Sequence, residues 1–211
     1  MKKLAIVVGV LAVLGLLVLI LIAIAGGSYN HLVKLSQGVD SQWAQVQNVY
    51  QRRADLVPNL VATVSGAANF EKSTLTEITA ARASVGQVKL DPNSAPTDPA
   101  KLAAFESAEG QLSSALSRLL VVVERYPDLK ATENFRDLQA QLEGTENRIS
   151  VERRDFNTAV QDYNTAIKSF PAVFYAGAFG FSAKPYFAAT DGAETPPRVQ
   201  FDFNPSTVTN H

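Results

Sequence analysis

The pattern of apolar and polar positions divides the chain into an apolar run and four helix-like stretches. After "MKK", residues 4–25 carry no polar side chain. At 1.5 Å per residue this run of about 22 residues would span about 33 Å as a helix, enough to cross the hydrocarbon of a bilayer. Two readings compete. A cleaved leader would explain Lys2 and Lys3, and Ala23-Ile24-Ala25 resembles a small-residue cleavage site ahead of Gly26. The apolar region of a leader, however, normally runs only about 7–15 residues. The length favours a retained anchor: residues 1–3 as a short flank and 4–25 as a transmembrane segment.

Beyond a joint at Gly26-Gly27 the apolar positions recur at helical spacing. The first stretch carries Leu32, Leu35, Val39, Trp43, Val46, Tyr50, Val57, Leu60 and Val64 and runs to about Asn69. The second, "STLTEITAARASVGQV", places Thr74 three residues before Glu77, a spacing that predicts a capping box opening at Thr74. "LDPNSAPTDP" then reads as a loop. The third stretch bears Leu102, Phe105, Leu112, Leu116, Leu119 and Val123 and ends at Tyr126-Pro127. Asp128 is the predicted cap of the fourth, which reaches about Phe170.

The first and fourth stretches, each about 40 residues and about 60 Å long, need partners for their apolar stripes. The expected fold is therefore all-α: an elongated antiparallel bundle of about four helices over residues 28–187, preceded by one N-terminal transmembrane helix. Phe135, Leu142, Ile149, Phe156, Tyr163 and Phe170 step by heptads, which favours gently supercoiled packing. Strand-like alternation is confined to "RVQFDF" in the tail, residues 188–211, which is expected to be disordered.

Several polar residues interrupt these ladders. In "YQRRADLVPNLV", residues 50–61, Arg53 belongs to the series Val39, Val46, Arg53, Leu60, Ala67. Glu109 interrupts Leu102, Leu116, Val123, and Thr145 with Glu152 interrupts Leu138, Ala159. One reading is an ion or ligand site distal to the membrane. The favoured one is a buried pair, Arg53 with Glu109 or Glu152, that fixes helix register. Arg52 is expected to form a surface pair with Asp55. Pro58 cannot donate to the Ala54 carbonyl and predicts a kink, with Asn59 beside it supplying polar contacts. "DFNTAVQ" followed by "DYNTAIK" is a heptad duplicate that stacks Asn157 over Asn164, either a reused bundle heptad or a polar ladder recognising another helix.

Composition narrows the chemistry. A net charge of −1 gives no reason to expect nucleic acid as a partner, since binding phosphates needs a clustered positive surface. There is no cysteine, and the two histidines, His31 and His211, leave little for imidazole catalysis or metal binding. No phosphate loop, metal-ligand spacing or nucleophile elbow is present, so no cofactor, metal or small-molecule ligand is expected. The enzyme reading reduces to Glu109 and Glu152 as acid and base on adjacent helices. Lys2 and Lys3 outweigh Lys34 beside the apolar run, which places the bundle outside the cytoplasm. The expected partners are membrane lipid through the N-terminal helix, and further copies or other membrane proteins through helix pairing. Residues 170–187 concentrate Phe174, Tyr175, Phe179, Phe181, Tyr186 and Phe187. They would either cover the open end of the bundle or lie in the membrane interface.

"YQRRADLVPNLV" resembles the signature of the LemA family of bacterial membrane proteins. The similarity continues through "ERYPDLKA" (124–131), "FRDLQ" (135–139), "EGTENRI" (143–149), "RRDFN" (153–157), "YN" (163–164) and "FP" (170–171), and covers about residues 29–187. The resemblance implies a short N-terminal anchor followed by a helical bundle, with no established reaction, cofactor or ligand. With the residue reading, it points to a non-enzymatic, single-pass envelope protein serving as a scaffold or interaction module, or to a lipid-contacting organiser. Gly110 departs from the family pattern and is expected to ease close packing near Glu109. No family counterpart is recognised after about Thr190.

Overall fold

The structure, a computed structural model, describes residues 2–67 and 70–188; of the expected tail only Ala188 is described, and "RVQFDF" lies outside the described residues. Helix α1 (Lys2–Ser65) is a single element of 64 residues, about 96 Å long. Gly26-Gly27 does not interrupt it. Each glycine costs about 1 kcal/mol relative to alanine, but no proline stands there to break the backbone ladder, and helix continues on both sides, through Ser28 and Asn30, residues that could otherwise cap a new start. The side chains from Leu11 to Ile24 stand exposed, and this part is long and apolar enough to cross a membrane.

The chain then descends along α2 (Lys72–Gln87), rises along α3 (Pro99–Val123), makes one turn as α4 (Pro127–Lys130) and descends again along α5 (Glu133–Lys168). Among the described residues every regular element is helical. The α2 cap differs from the predicted box. The helix starts at Lys72 with Glu71 in the cap position, and buried Thr74 instead donates its hydroxyl to the Glu71 carboxylate at 3.4 Å. At α3, Asp98 accepts from Ala100 N and Pro99 opens the helix, a pairing that suits the first turn. Asp128 serves only the single turn of α4. The long helix is capped by Thr132, whose extended backbone separates the two and whose hydroxyl accepts from Phe135 N.

The core lies in two parts. The part nearer the apolar segment joins Trp43 and Tyr50 of α1, Phe105 of α3 and Phe156 and Tyr163 of α5. The far part joins Leu60 and Val64 of α1, Ile78 of α2, Leu112 and Leu119 of α3 and Leu142 of α5. Of the fourth-stretch heptad ladder, Phe135 to Tyr163 are buried. Phe170 is exposed because α5 has already ended at Lys168. A turn at Ala172–Phe174 follows, and residues 181–188 run back along α5 as a strap without regular structure.

Candidate functional site

Between the two core regions lies a charged layer. Tyr50 and Leu56 bracket it on α1, Phe105 and Leu112 on α3, and Ile149 and Leu142 on α5. At its centre Arg53 is only 1% exposed. Its Nη1 donates to Ser113 Oγ and to Glu146 Oε1, each at 2.6 Å. Its Nη2 donates to the Glu109 carbonyl at 3.2 Å and to the Glu109 carboxylate. The guanidinium also lies over the Tyr50 ring, 5.0 Å from its centroid. Arg53 Nε and Glu109 Oε1 are buried without a hydrogen-bond partner among the described residues.

Burial pushes the Glu109 carboxyl above its ordinary range; Arg53 opposes this and the nearby Glu146 charge adds to it. Burial also works against the Arg53 cation, but bonding to Glu146 and Glu109 outweighs it and raises the pKa. The Tyr50 phenol is pushed up by the same desolvation.

The structure brings Arg53 and Glu109 together and leaves Glu152 elsewhere. Glu152 sits on the flank of α5, where its carboxylate accepts from Gln42 Nε2 at 2.6 Å. Thr145 points into the core, and its neighbour Glu146 reaches Arg53 from the half-exposed edge. This also separates the two carboxylates of the acid–base reading. Gly110 is exposed, and a methyl group there would meet open space, so it eases no packing.

The surrounding motif is also rearranged. Asp55 accepts from Gln51 Nε2 at 2.7 Å, the i,i+4 neighbour, and no ion pair joins it to Arg52 among the described residues. Asn59 contributes its carbonyl, which accepts from Thr63 Oγ1. α1 continues through Pro58. The Ala54 carbonyl, which a proline four residues on cannot bond, accepts from Arg82 Nε of α2 at 3.0 Å. The fault in the helix thus becomes a tie between α1 and α2.

Beside the charged layer a cleft of about 560 Å³ is lined by Tyr50, Arg53, Glu106, Glu109, Glu146 and Arg153, among others. Arg153 donates to Glu106 at 2.8 Å and to the Ala188 carbonyl at 2.9 Å, while Ala188 N donates back to Glu106. Burial raises the Glu106 pKa, against the pull of Arg153 and the Ala188 N–H. Among the described residues no cluster of three or more His, Cys, Asp or Glu is placed to hold a metal. The cleft therefore offers paired charges and hydrogen-bonding groups, with no histidine or thiol to act as a nucleophile.

The duplicated heptad holds the strap. Asn157 Nδ2 donates to the Phe187 carbonyl while Phe187 N donates to Asn157 Oδ1, at 3.1 and 2.9 Å. Asn164 grips Lys184 in the same two-bond manner, at 2.8 and 2.9 Å. Two helical turns, seven residues, advance about 10.5 Å, and three residues of extended chain advance about 9–10 Å. The two repeats match. Lys184, only 6% exposed, reaches Asp40 at 2.6 Å, and Asp40 also accepts from Ala95 N of the loop between α2 and α3. The asparagine ladder thus recognises the protein's own returning chain rather than another helix.

The six aromatic residues proposed for an interface divide. Phe187 is buried, stacking on Trp43 and meeting Phe156 edge-on. Tyr175 and Phe181 are half-buried, and Tyr186 is 47% exposed on the strap. Phe174 and Phe179 point outward, 81% and 64% exposed. Phe179 and Phe181 each pack edge-on against Tyr29 of α1, with ring centres 5.5 Å apart.

Arg82, Asp40, Glu106, Arg153, Glu146 and Lys184 escaped sequence reasoning. Glu146 and Asp40 each adjoin a ladder position, and that adjacency was the available signal. Arg82 had none beyond the unmet carbonyl that Pro58 implies.

These features define a class: an all-α bundle, split by a buried charged layer and strapped by its own returning chain, whose first helix extends unbroken into an apolar segment. The chain belongs to the LemA family, whose model matches residues 42–201. It is 28% identical over 183 residues to the magnetosome protein MamQ 2 of Paramagnetospirillum magneticum, covering 80% of this chain and 67% of that one. It is 32% identical over 93 residues to the magnetosome protein MamQ of Magnetospirillum gryphiswaldense (44% and 34%). To the LemA protein of Metamycoplasma hominis it is 25% identical over 144 residues (68% and 61%). The family match extends to residue 201, past the last recognised motif at Phe170-Pro171 and past about Thr190, beyond which no family counterpart was expected. The apolar helix and the magnetosome relatives together fit a membrane location.

Proposed function

We propose that this protein is a single-pass, membrane-anchored rod whose bundle works by contact, as a scaffold or interaction module of the cell envelope. The observation that carries this reading is the continuity of α1: one helix serves as the apolar segment and as a core member of the bundle. A bundle joined in this way is held to the anchor without a flexible linker. The reading is non-enzymatic, supported by a cleft whose arginines and glutamates largely satisfy one another. The excess of Lys2 and Lys3 over Lys34 beside the apolar segment supports a bundle on the non-cytoplasmic side. Relatives named as magnetosome proteins agree with a membrane location.

Crosslinking of the full-length chain in native membranes tests the role. The expected outcome is a ladder of homo-oligomers or a defined adduct with a membrane protein; monomer alone would count against a contact function. A reporter fused to the C-terminus should be active only outside the cytoplasm.

A further inference from the structure

The bundle's exposed apolar side chains are unevenly placed. From residue 29 onward, Val121 and Val151 are isolated aliphatics on helix faces, and Tyr186 lies on the strap. Tyr29, Val33, Phe170, Val173, Phe174 and Phe179 lie at the one end where α1 leaves its apolar segment. Residues 169–181 contain no charged side chain. Soluble surfaces rarely gather apolar groups this way unless something covers them.

Position identifies the cover. Tyr29 stands four residues beyond Ala25, about 6 Å further along the helix. The headgroup layer on each side of the hydrocarbon is about 5–7 Å deep, so Tyr29 falls inside it. Its ring contacts bring Phe179 and Phe181 to the same level. The Ala172–Phe174 turn packs against α1 as well as α5, and buried Ala172 and Ala176 belong to the near core. Exposed Lys34 and Lys168 stand nearby, where ammonium groups can meet lipid phosphates. Aromatic rings flanked by lysines suit the boundary between hydrocarbon and water. A second copy docking end to end would collide with the bilayer that α1 enters.

We infer that Phe174 and Phe179, with Tyr29, form an aromatic collar seated in the lipid headgroup layer, giving the rod a second membrane contact beside its anchor. This rests on the anchored reading above. Two contacts at one level fix the tilt of the bundle, which a lone helix would leave free.

The test uses the full-length chain in vesicles of phosphatidylcholine and phosphatidylglycerol, with Phe179→Trp, Phe174→Trp and, for the anchor, Leu14→Trp. Trp43, which is fully buried, provides a background to subtract. Exchanging one exposed ring for another preserves the fold, which far-ultraviolet dichroism checks. The collar predicts loss of Phe179→Trp and Phe174→Trp emission with lipid brominated near the headgroup, and less loss with lipid brominated near the chain end. Leu14→Trp should show the reverse preference. If Leu14→Trp is quenched while both collar variants are indifferent to bromine, the collar is wrong and the anchor stands. Indifference of all three would overturn both readings. Blue-shifted collar emission without quenching would mean that another copy covers the patch, and strongest quenching by deep bromine would mean insertion into the hydrocarbon; either result defeats the proposal.

Discussion

The two halves of the bundle are packed by different means. The half nearer the apolar segment is filled by rings: Trp43 meets Phe105, Phe156 and Phe187 within 5.6–6.2 Å, and Tyr50 meets Phe105 at 5.0 Å. The far half is filled mainly by leucine, valine and isoleucine. The difference follows from what surrounds α1. In the far half α2 supplies Ile78 and Ala81, so regular helices interdigitate along aliphatic ladders. In the near half α2 has ended, and its place is taken by the 88–98 loop and the strap, neither of which presents a periodic surface. Large flat side chains fill such uneven space, and side-chain hydrogen bonds from Asp40, Asn157 and Asn164 hold the irregular backbone. The Arg53 layer marks the boundary between them.

The sharpest way to break this arrangement is at the boundary. Arg53→Leu leaves Glu109 buried beside an apolar group and should cost about 3–5 kcal/mol in chemical unfolding. Arg53→Leu with Glu109→Leu should recover most of that, because no buried charge is then left alone; equal and additive losses would show that the two do not act as a pair.

Next comes the strap. Asn164→Ala strips both backbone partners from Lys184 and should cost about 1–3 kcal/mol. Hydrogen exchange should speed up at residues 181–188 and around Trp43, while α2 and the far ends of α3 and α5 stay protected. Uniform loosening would mean that the halves are not separate.

Arg82→Ala should remove about 1 kcal/mol by leaving the Ala54 carbonyl unmet. In a Pro58→Ala background the helix regains its own donor, so the same change should cost less. A double-mutant cycle reads the coupling.

The smallest effect is in pH dependence. Glu109 has a folded pKa above its ordinary value of 4.5, so the folded state holds that proton more tightly. The stabilisation from it is complete below about pH 4.5 and is lost as pH rises through the folded pKa. Glu109→Gln abolishes this component, and its stability relative to the natural chain should improve as pH increases across that window.

Most of the helical frame was legible because heptad ladders report burial directly, and Arg53 and Glu109 stood out because they break such ladders. Glu146 did not, since it lies one position off the ladder and reaches inward with a long side chain. Gly26-Gly27 misled because glycine weakens a helix without ending it. The asparagine duplicate was visible, but its target was not: seven helical residues match three extended ones only once the returning chain lies alongside. Arg82 was hidden because its acceptor is a backbone group.

The matched spacing has a consequence for how the chain tolerates change. One heptad before Asn157 stands Ser150, and one heptad after Asn164 stands Pro171, so neither neighbouring notch offers an amide. The strap therefore has one seat. Residues added to or removed from the turn before it cannot be absorbed by sliding, and the slack must gather in the aromatic turn itself, so length variation there would reshape the end of the rod and leave its core in place.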